Sequence, residues 1–149
     1  MSQRFDIPKS APDAYKGLGS VKTYLQNCSL SPVLVELVNL RVSQINGCAF
    51  CIDMHSRNLL KKGVSIDKLV LVAVWQEGGT LFDAQERAAL AWAESVTNVA
   101  ETGVPDISYE AAAAVFSEKE MSDLTVTIAL MNAFNRIGVS ARLAPAAAR

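Results

Sequence analysis

Reactive side chains are scarce in this sequence. Its 149 residues include a single histidine and three cysteines. A structural zinc site usually draws its second ligand pair from a distant segment. This chain offers only Cys28 for that purpose and no second histidine. An excess of one charge is lacking too. Fourteen Lys and Arg stand against fifteen Asp and Glu, for a formal charge of −1. No basic surface therefore argues for nucleic acid or for an anionic membrane. Long apolar runs are absent: the longest candidate, Leu69 to Trp75, falls short of the roughly 18 apolar residues of a membrane span. The opening stretch, Met1 to Pro8, has no apolar core, so no secretory signal is expected. The expected compartment is the cytoplasm, where thiols stay reduced unless they cycle. There is no convincing strand, repeat or linker. Charged residues make up only 19%, against 50% hydrophobic, which points to some surface hidden in a homo-oligomer.

What remains reads as helices. A length of 149 residues suits one domain, 1–149, large enough to bury a core without disulfide staples. Residues 1–10 read as an irregular arm, and a first helix covers Ala11 to Asn27, weakened by Gly17 and Gly19. Ser31-Pro32 is a start signal for a helix with Leu34, Leu37, Val38 and Ile45 on its apolar side. Asn46-Gly47 reads as a break. The next helix runs from about Cys48 to Gly63. Another opens at Ser65 and continues to Gln76, before Gly78-Gly79. Val70 to Trp75 has the composition of a buried strand, but its flanking signals favour helix. Asp83 to Glu86 forms a capping-box pattern for a helix to about Glu101. A loop from Thr102 to Ile107 precedes a short helix from Ser108. A second capping box, Ser117 to Glu120, opens a long last helix, and the tail from Pro145 reads as frayed. The expected fold is all-α, with six or seven helices.

The reactive groups are concentrated between Asn46 and His55, which holds Cys48, Cys51 and the one histidine. At about 3.6 residues per turn, positions i, i+3 and i+7 share a helix face. Two thiols and an imidazole thus face a common space. The positive end of the helix dipole favours a thiolate at Cys48. The imidazole of His55 favours proton removal from Cys51. Both assignments stay open; a base acting directly on the proton tips the reading towards Cys51 as attacker and Cys48 as resolving thiol. Glu36 lies twelve residues before Cys48, roughly 18 Å away on an unbroken helix. A fold-back at Asn46-Gly47 would return it to the histidine as an orienting carboxylate. It sits among Val33, Leu34, Val35, Leu37 and Val38, where a carboxylate is costly unless paired. The alternative is a solvated position on the polar side. Phe50 and Trp75 read as packing residues that could also wall the thiols. Asp53 reads as a solvated first-turn acid, Arg136 and Arg142 as surface or subunit contacts, and Cys28 as a residue without a role.

The combination of CxxCxxxH at Cys48, Cys51 and His55 with Glu36 upstream resembles the active-site motif of the AhpD-like alkylhydroperoxidases, within the carboxymuconolactone decarboxylase superfamily. The flanks Leu40 to Cys48 and Glu86 to Trp92 agree, and the resemblance extends over roughly residues 11 to 143. It implies an all-helical fold that assembles into trimers or hexamers. It implies reduction of a hydroperoxide substrate: one cysteine becomes a sulfenic acid, the other condenses with it, and an external thiol or dithiol donor restores the pair. Carried over residue by residue, Cys48 and Cys51 are the redox pair and Glu36 and His55 the proton relay, with no cofactor and no metal. One departure is Phe50, which stands where the best-known family member has a second histidine; the relay is thinner here. Decarboxylase relatives lack the cysteine pair, which argues against lactone decarboxylation. Two other functions are open: a disulfide oxidoreductase acting on protein or carrier thiols, and a helical scaffold binding a metal through Cys48, Cys51, His55 and either Glu36 or Cys28.

Overall fold

The structure is a computed structural model and describes residues 2–148. Among these residues there are nine α-helices and no strand: α1 (Ile7–Ser10), α2 (Pro12–Leu25), α3 (Pro32–Ile45), α4 (Ala49–Lys61), α5 (Ile66–Leu71), α6 (Ala84–Thr97), α7 (Val99–Thr102), α8 (Asp106–Ala113) and α9 (Glu118–Ala141). Six of them run for eight residues or more; α1, α5 and α7 are short turns of helix. The all-α expectation holds. None of the described helices is long and apolar enough to cross a membrane.

The helix starts follow from local chemistry. The first backbone N–H groups of a helix lack partners inside it, and a side-chain oxygen one step ahead supplies one. Ser31 accepts from the Leu34 amide, Ser65 from Lys68, and full capping boxes open α6 at Asp83 and Glu86 and α9 at Ser117 and Glu120. With its ends fixed, α3 becomes the central helix. Leu34, Val38 and Val42 enter one apolar cluster with Trp92, Phe116, Leu124 and Ile128 of the α6–α9 side. Leu37 and Leu40 enter another with Leu59, Val72, Trp75 and Leu90. Each fully buried leucine contributes about 2 kcal/mol of transfer free energy, so two loaded faces anchor α3 between its neighbours.

Several boundaries differ from the sequence reading. The segment after Ser65 is not one helix. It leaves α-geometry at Leu71 and continues as a 3₁₀ segment, Val72–Glu77, kinked at Val74. Three valines, at 70, 72 and 74, lower the helical preference of this segment. The indole N–H of Trp75 is drawn to Glu94 Oε1 at 2.8 Å, which fixes the turn. The helix from Asp83 ends at Thr97 rather than Glu101; Asn98 breaks it and donates its side-chain amide to the Glu94 carbonyl. The following helix begins at Asp106, not Ser108, behind Pro105 in an extended conformation. The N-terminal arm contains α1, capped by Asp6, and the Arg4 amide donates to the Ala141 carbonyl. The tail from Pro145 is docked rather than frayed: Ala146–Ala148 forms a 3₁₀ turn and the Ala147 amide donates to Asp53 Oδ2 at 3.3 Å. Met1 and Arg149, the outermost parts of arm and tail, lie outside the described residues.

A buried carboxylate straps the end of α2 to α9. Asp123 is 1% exposed. It accepts from the Tyr24 hydroxyl at 2.7 Å, from the Ser29 amide and hydroxyl at 3.1 and 2.7 Å, and from the Lys119 ammonium at 2.6 Å. Burial alone would raise its pKa; the bonds from Lys119, Tyr24 and Ser29 outweigh that and hold it well below the usual carboxylate range. The same bonds, from Asp123 first and Tyr24 second, push Lys119 up to about 12.

Candidate active site

Residues Asn46 and Gly47 turn α3 back on itself into α4. Gly47 takes a φ of +66°, a left-handed conformation that a side chain would strain. The turn is held from α9: Asn46 donates its side-chain amide to the oxygens of Asn132 and Asn135, at 3.0 Å each. Asn135 donates in turn to the Ser43 hydroxyl at 3.0 Å, and the Cys48 amide returns to the Ser43 carbonyl at 3.0 Å.

Cys48 is the N-cap of α4, its sulfur accepting from the Cys51 amide at 3.4 Å. The two sulfurs are joined as a disulfide across a Cα–Cα distance of 5.3 Å. Both residues are buried, Cys48 at 1% and Cys51 at 3% exposure. Gly138, inside α9, lies directly against them. A β-carbon there would stand 3.1 Å from Cys48 Sγ and 3.7 Å from Cys51 Sγ. Sequence reasoning missed this residue. Its signal was a glycine inside a long helix, where it costs about 1 kcal/mol relative to alanine and often marks a close approach.

The hairpin returns Glu36 to the histidine. His55 is 5% exposed, and its Nδ1 lies 2.7 Å from Glu36 Oε2. Asn58, one turn on, donates to both oxygens of Glu36 at 3.3 and 3.4 Å. The solvated alternative for Glu36 is therefore not what the fold adopts. A carboxylate at Nδ1 favours the tautomer with the proton there, which leaves Nε2 as a lone pair. That Nε2 is buried and has no hydrogen-bond partner, neither sulfur included. The fold thus puts Cys51 and His55 one turn apart on one helix without bonding them to each other in this disulfide state.

Both residues line a cavity of about 670 Å³ bounded by α2, α3, α4 and α9. Phe50, Met54, Leu130 and Phe134 supply much of its apolar wall. Cys51 borders the cavity, whereas Cys48 lies against Gly138 behind it. Phe50 lines the same cavity as Cys51. Trp75 does not; it packs in the second apolar cluster. Asp53 lies in the second turn of α4, half-buried, paired with Arg57 at 2.9 Å and with the tail. Desolvation works against its charge, but the bonds from Arg57 and Ala147 keep its pKa below the ordinary value. Arg136 and Arg142 are exposed, and Cys28 is half-buried at the edge of the first apolar cluster. Among the described residues no group of three or more His, Cys, Asp or Glu is placed to hold a metal ion.

An all-helical fold with a CxxCxxxH hairpin is the arrangement of an AhpD-like protein, and the sequence comparisons agree. The profile of the carboxymuconolactone decarboxylase family matches residues 11–95, and the chain belongs to that family. It is 34% identical over 140 residues to the uncharacterized protein YdfG of Bacillus subtilis, covering 94% of this chain and 95% of YdfG. The alkyl hydroperoxide reductase AhpD of Rhodospirillum centenum is 36% identical over 78 residues, covering 50% of this chain and 41% of that protein. The chain thus spans less than half of that reductase's length. Among solved structures, ATU0492 of Agrobacterium tumefaciens superimposes with a TM-score of 0.92 at 39% identity, covering 97% of this chain and 98% of the other. That protein is described as one of unknown function and a candidate antioxidant defence protein AhpD. At family level, this membership supports an oxidoreductase of the alkylhydroperoxidase type.

Proposed function

We propose that the protein is a thiol-dependent hydroperoxide reductase, with Cys48 and Cys51 as its redox pair and Glu36 and His55 as its proton relay. The observation that carries this reading is the state of His55. Glu36 clamps one ring nitrogen, and the other is buried, unpartnered and on the same cavity wall as Cys51. A base held on one side and free on the other is ready to take a thiol proton and pass it to the leaving alkoxide. In the reduced protein, Nε2 takes the proton of Cys51. The thiolate attacks the terminal peroxide oxygen, the O–O bond breaks, and His55 returns the proton to the departing alkoxide, which leaves as an alcohol. Cys51 is then a sulfenic acid. The Cys48 thiol attacks that sulfur, a disulfide forms, and one water departs. Two electrons from an external dithiol close the cycle.

Cys51 is the attacking residue because it borders the cavity, while Cys48 is held against Gly138. Phe50, in place of a second imidazole, leaves His55 as the single proton carrier. The protein works as a single domain in the cytoplasm and as a homo-oligomer, trimer or hexamer; Ile66, Val70 and Ile107, at 59%, 65% and 74% exposure, are apolar side chains that such contacts would cover.

The test is peroxide consumption with a dithiol donor, together with mass analysis after one equivalent of cumene hydroperoxide. Wild type should lose two hydrogens, and Cys48→Ser should gain one oxygen at Cys51. Absence of turnover with several hydroperoxides and donors would remove the reading. Exchange with a model disulfide that outruns the peroxide reaction would replace it with a thiol–disulfide oxidoreductase.

A further inference from the structure

The cavity is not uniformly apolar. Its α9 side is mostly aliphatic and aromatic, with Leu130, Met131, Phe134 and Ile137 beside Thr127, but two lysines also line it, Lys22 of α2 and Lys62 at the end of α4. Both lysines are exposed, and neither is paired with a carboxylate among the described residues. The one carboxylate that lines the cavity, Glu36, is committed to His55 and Asn58. One cavity therefore takes in both the unpartnered His55 Nε2 and two lysines that no carboxylate pairs, with a largely apolar lining between them.

The helix supplies a ruler. Lys62 follows Cys51 by eleven residues, roughly 16 Å along α4 at about 1.5 Å per residue. A zig-zag hydrocarbon chain with bonds of about 1.5 Å covers that distance in roughly a dozen carbons. A volume of about 670 Å³ lies within the usual range for ligand sites, roughly 300–1,000 Å³.

Resting on the reductase reading above, we propose that the substrate is a long-chain fatty-acid hydroperoxide. Its carboxylate lies at Lys22 and Lys62, its chain runs along Met54, Leu130 and Phe134, and its peroxide oxygens sit between Cys51 and His55. The acid hydroperoxide gives its terminal oxygen to the sulfur and leaves as the hydroxy acid. The two thiols are oxidised to the disulfide, and that oxygen leaves as water. A long chain buries apolar surface that a small hydroperoxide cannot, and the carboxylate sets the direction in which the chain enters.

The experiment compares kcat/KM for linoleic acid hydroperoxide and for its methyl ester, both below their aggregation concentrations. Each protein serves as its own reference through the acid-to-ester ratio. Wild type should favour the acid by roughly fivefold, the size expected of one or two partly exposed ion pairs. The double variant Lys22→Gln/Lys62→Gln should bring the ratio close to one, and Lys61→Gln, on the neighbouring residue, should keep it. Binding of unoxidised linoleate, read by displacement of a fluorescent fatty acid, gives a second measurement that needs no turnover. It should weaken by a similar factor in the double variant. If wild type reduces cumene hydroperoxide but gives an acid-to-ester ratio of one and binds no linoleate, the fatty-acid inference is overturned and the reductase reading stands. If linoleate binds through both lysines while no hydroperoxide is reduced, the ligand class is supported and the reductase reading fails.

Discussion

Two paired carboxylates in this protein, Asp123 and Glu36, are treated in opposite ways. Asp123 is surrounded: a phenol, a hydroxyl, a backbone amide and an ammonium all donate to it. Glu36 is also fully engaged, but it passes the obligation on. It holds one nitrogen of His55, a residue 5% exposed, and leaves the other buried with nothing to bond. A structural cluster closes every bond it opens, because each unmade one costs about 1–3 kcal/mol. A reactive cluster keeps one vacancy for the substrate. The difference lies in satisfaction, since both groups are paired.

The comparison can be broken or sharpened by substitution. The largest effect is expected for Glu36→Gln. It keeps the shape but loses the charge that orients the imidazole, so the rate of Cys51 oxidation by hydroperoxide should fall by roughly 10²–10³. Stopped-flow thiol oxidation measures it, and the melting temperature should barely move. A large loss of stability with unchanged rate would make Glu36 a second Asp123.

Asp123→Asn should show the reverse pattern. Stability at neutral pH should fall by about 2 kcal/mol, read by denaturant unfolding, with the rate per folded molecule unchanged. The pH dependence has a definite sign. The folded pKa of Asp123 is depressed below the roughly 3.9 of an unfolded aspartate, so its contribution is complete above about pH 5 and is lost as pH falls through the folded value. The gap between wild type and Asp123→Asn should narrow on acidification. Lys119, raised to about 12, works from the other end: its contribution is complete below the unfolded lysine value and is lost as pH rises through about 12.

Gly138→Ala tests the sulfur side of the reactive cluster. The added methyl would meet Cys48 Sγ at 3.1 Å. Strain of about 1–3 kcal/mol is partly offset by about 1 kcal/mol of helix preference, so a small net destabilisation should accompany slower disulfide formation. The smallest change belongs to the exposed pair of Arg57 and Asp53. Arg57→Ala should shift the melting temperature by no more than about 2 °C and leave the peroxide reaction alone.

Much of this was legible in the sequence because it is local. Ser31-Pro32, Asp83 with Glu86 and Ser117 with Glu120 act within four residues, and each opens a helix where its pattern stands. The CxxCxxxH spacing is local too. The pairing of Glu36 with His55 was half legible. A carboxylate among aliphatics asked for a partner, and Asn46-Gly47 offered the turn, but no spacing rule fixes a distance across a fold-back. Gly138 was invisible for a stronger reason: its partners are about ninety residues away, and only the packed α9 brings them together. The same holds for Asn132 and Asn135, whose oxygens hold Asn46, and for Asp123. The kink at Val74 escaped because a bond from Trp75 to Glu94 overrides the cap-to-glycine reading of that segment.

The asparagine–glycine turn carries a chemical liability as well as a shape. An asparagine followed by glycine loses its side-chain amide readily, through attack by the next backbone nitrogen, and asparagine is among the residues that high temperature selects against. In the folded chain the Asn46 amide is committed to Asn132 and Asn135, and the Gly47 nitrogen to the Gln44 carbonyl. Folding thus shelters Asn46 from ageing. Prolonged heating that loosened the turn would deamidate it, replacing the donor with a carboxylate facing two amide oxygens, and the damage would begin two residues from Cys48.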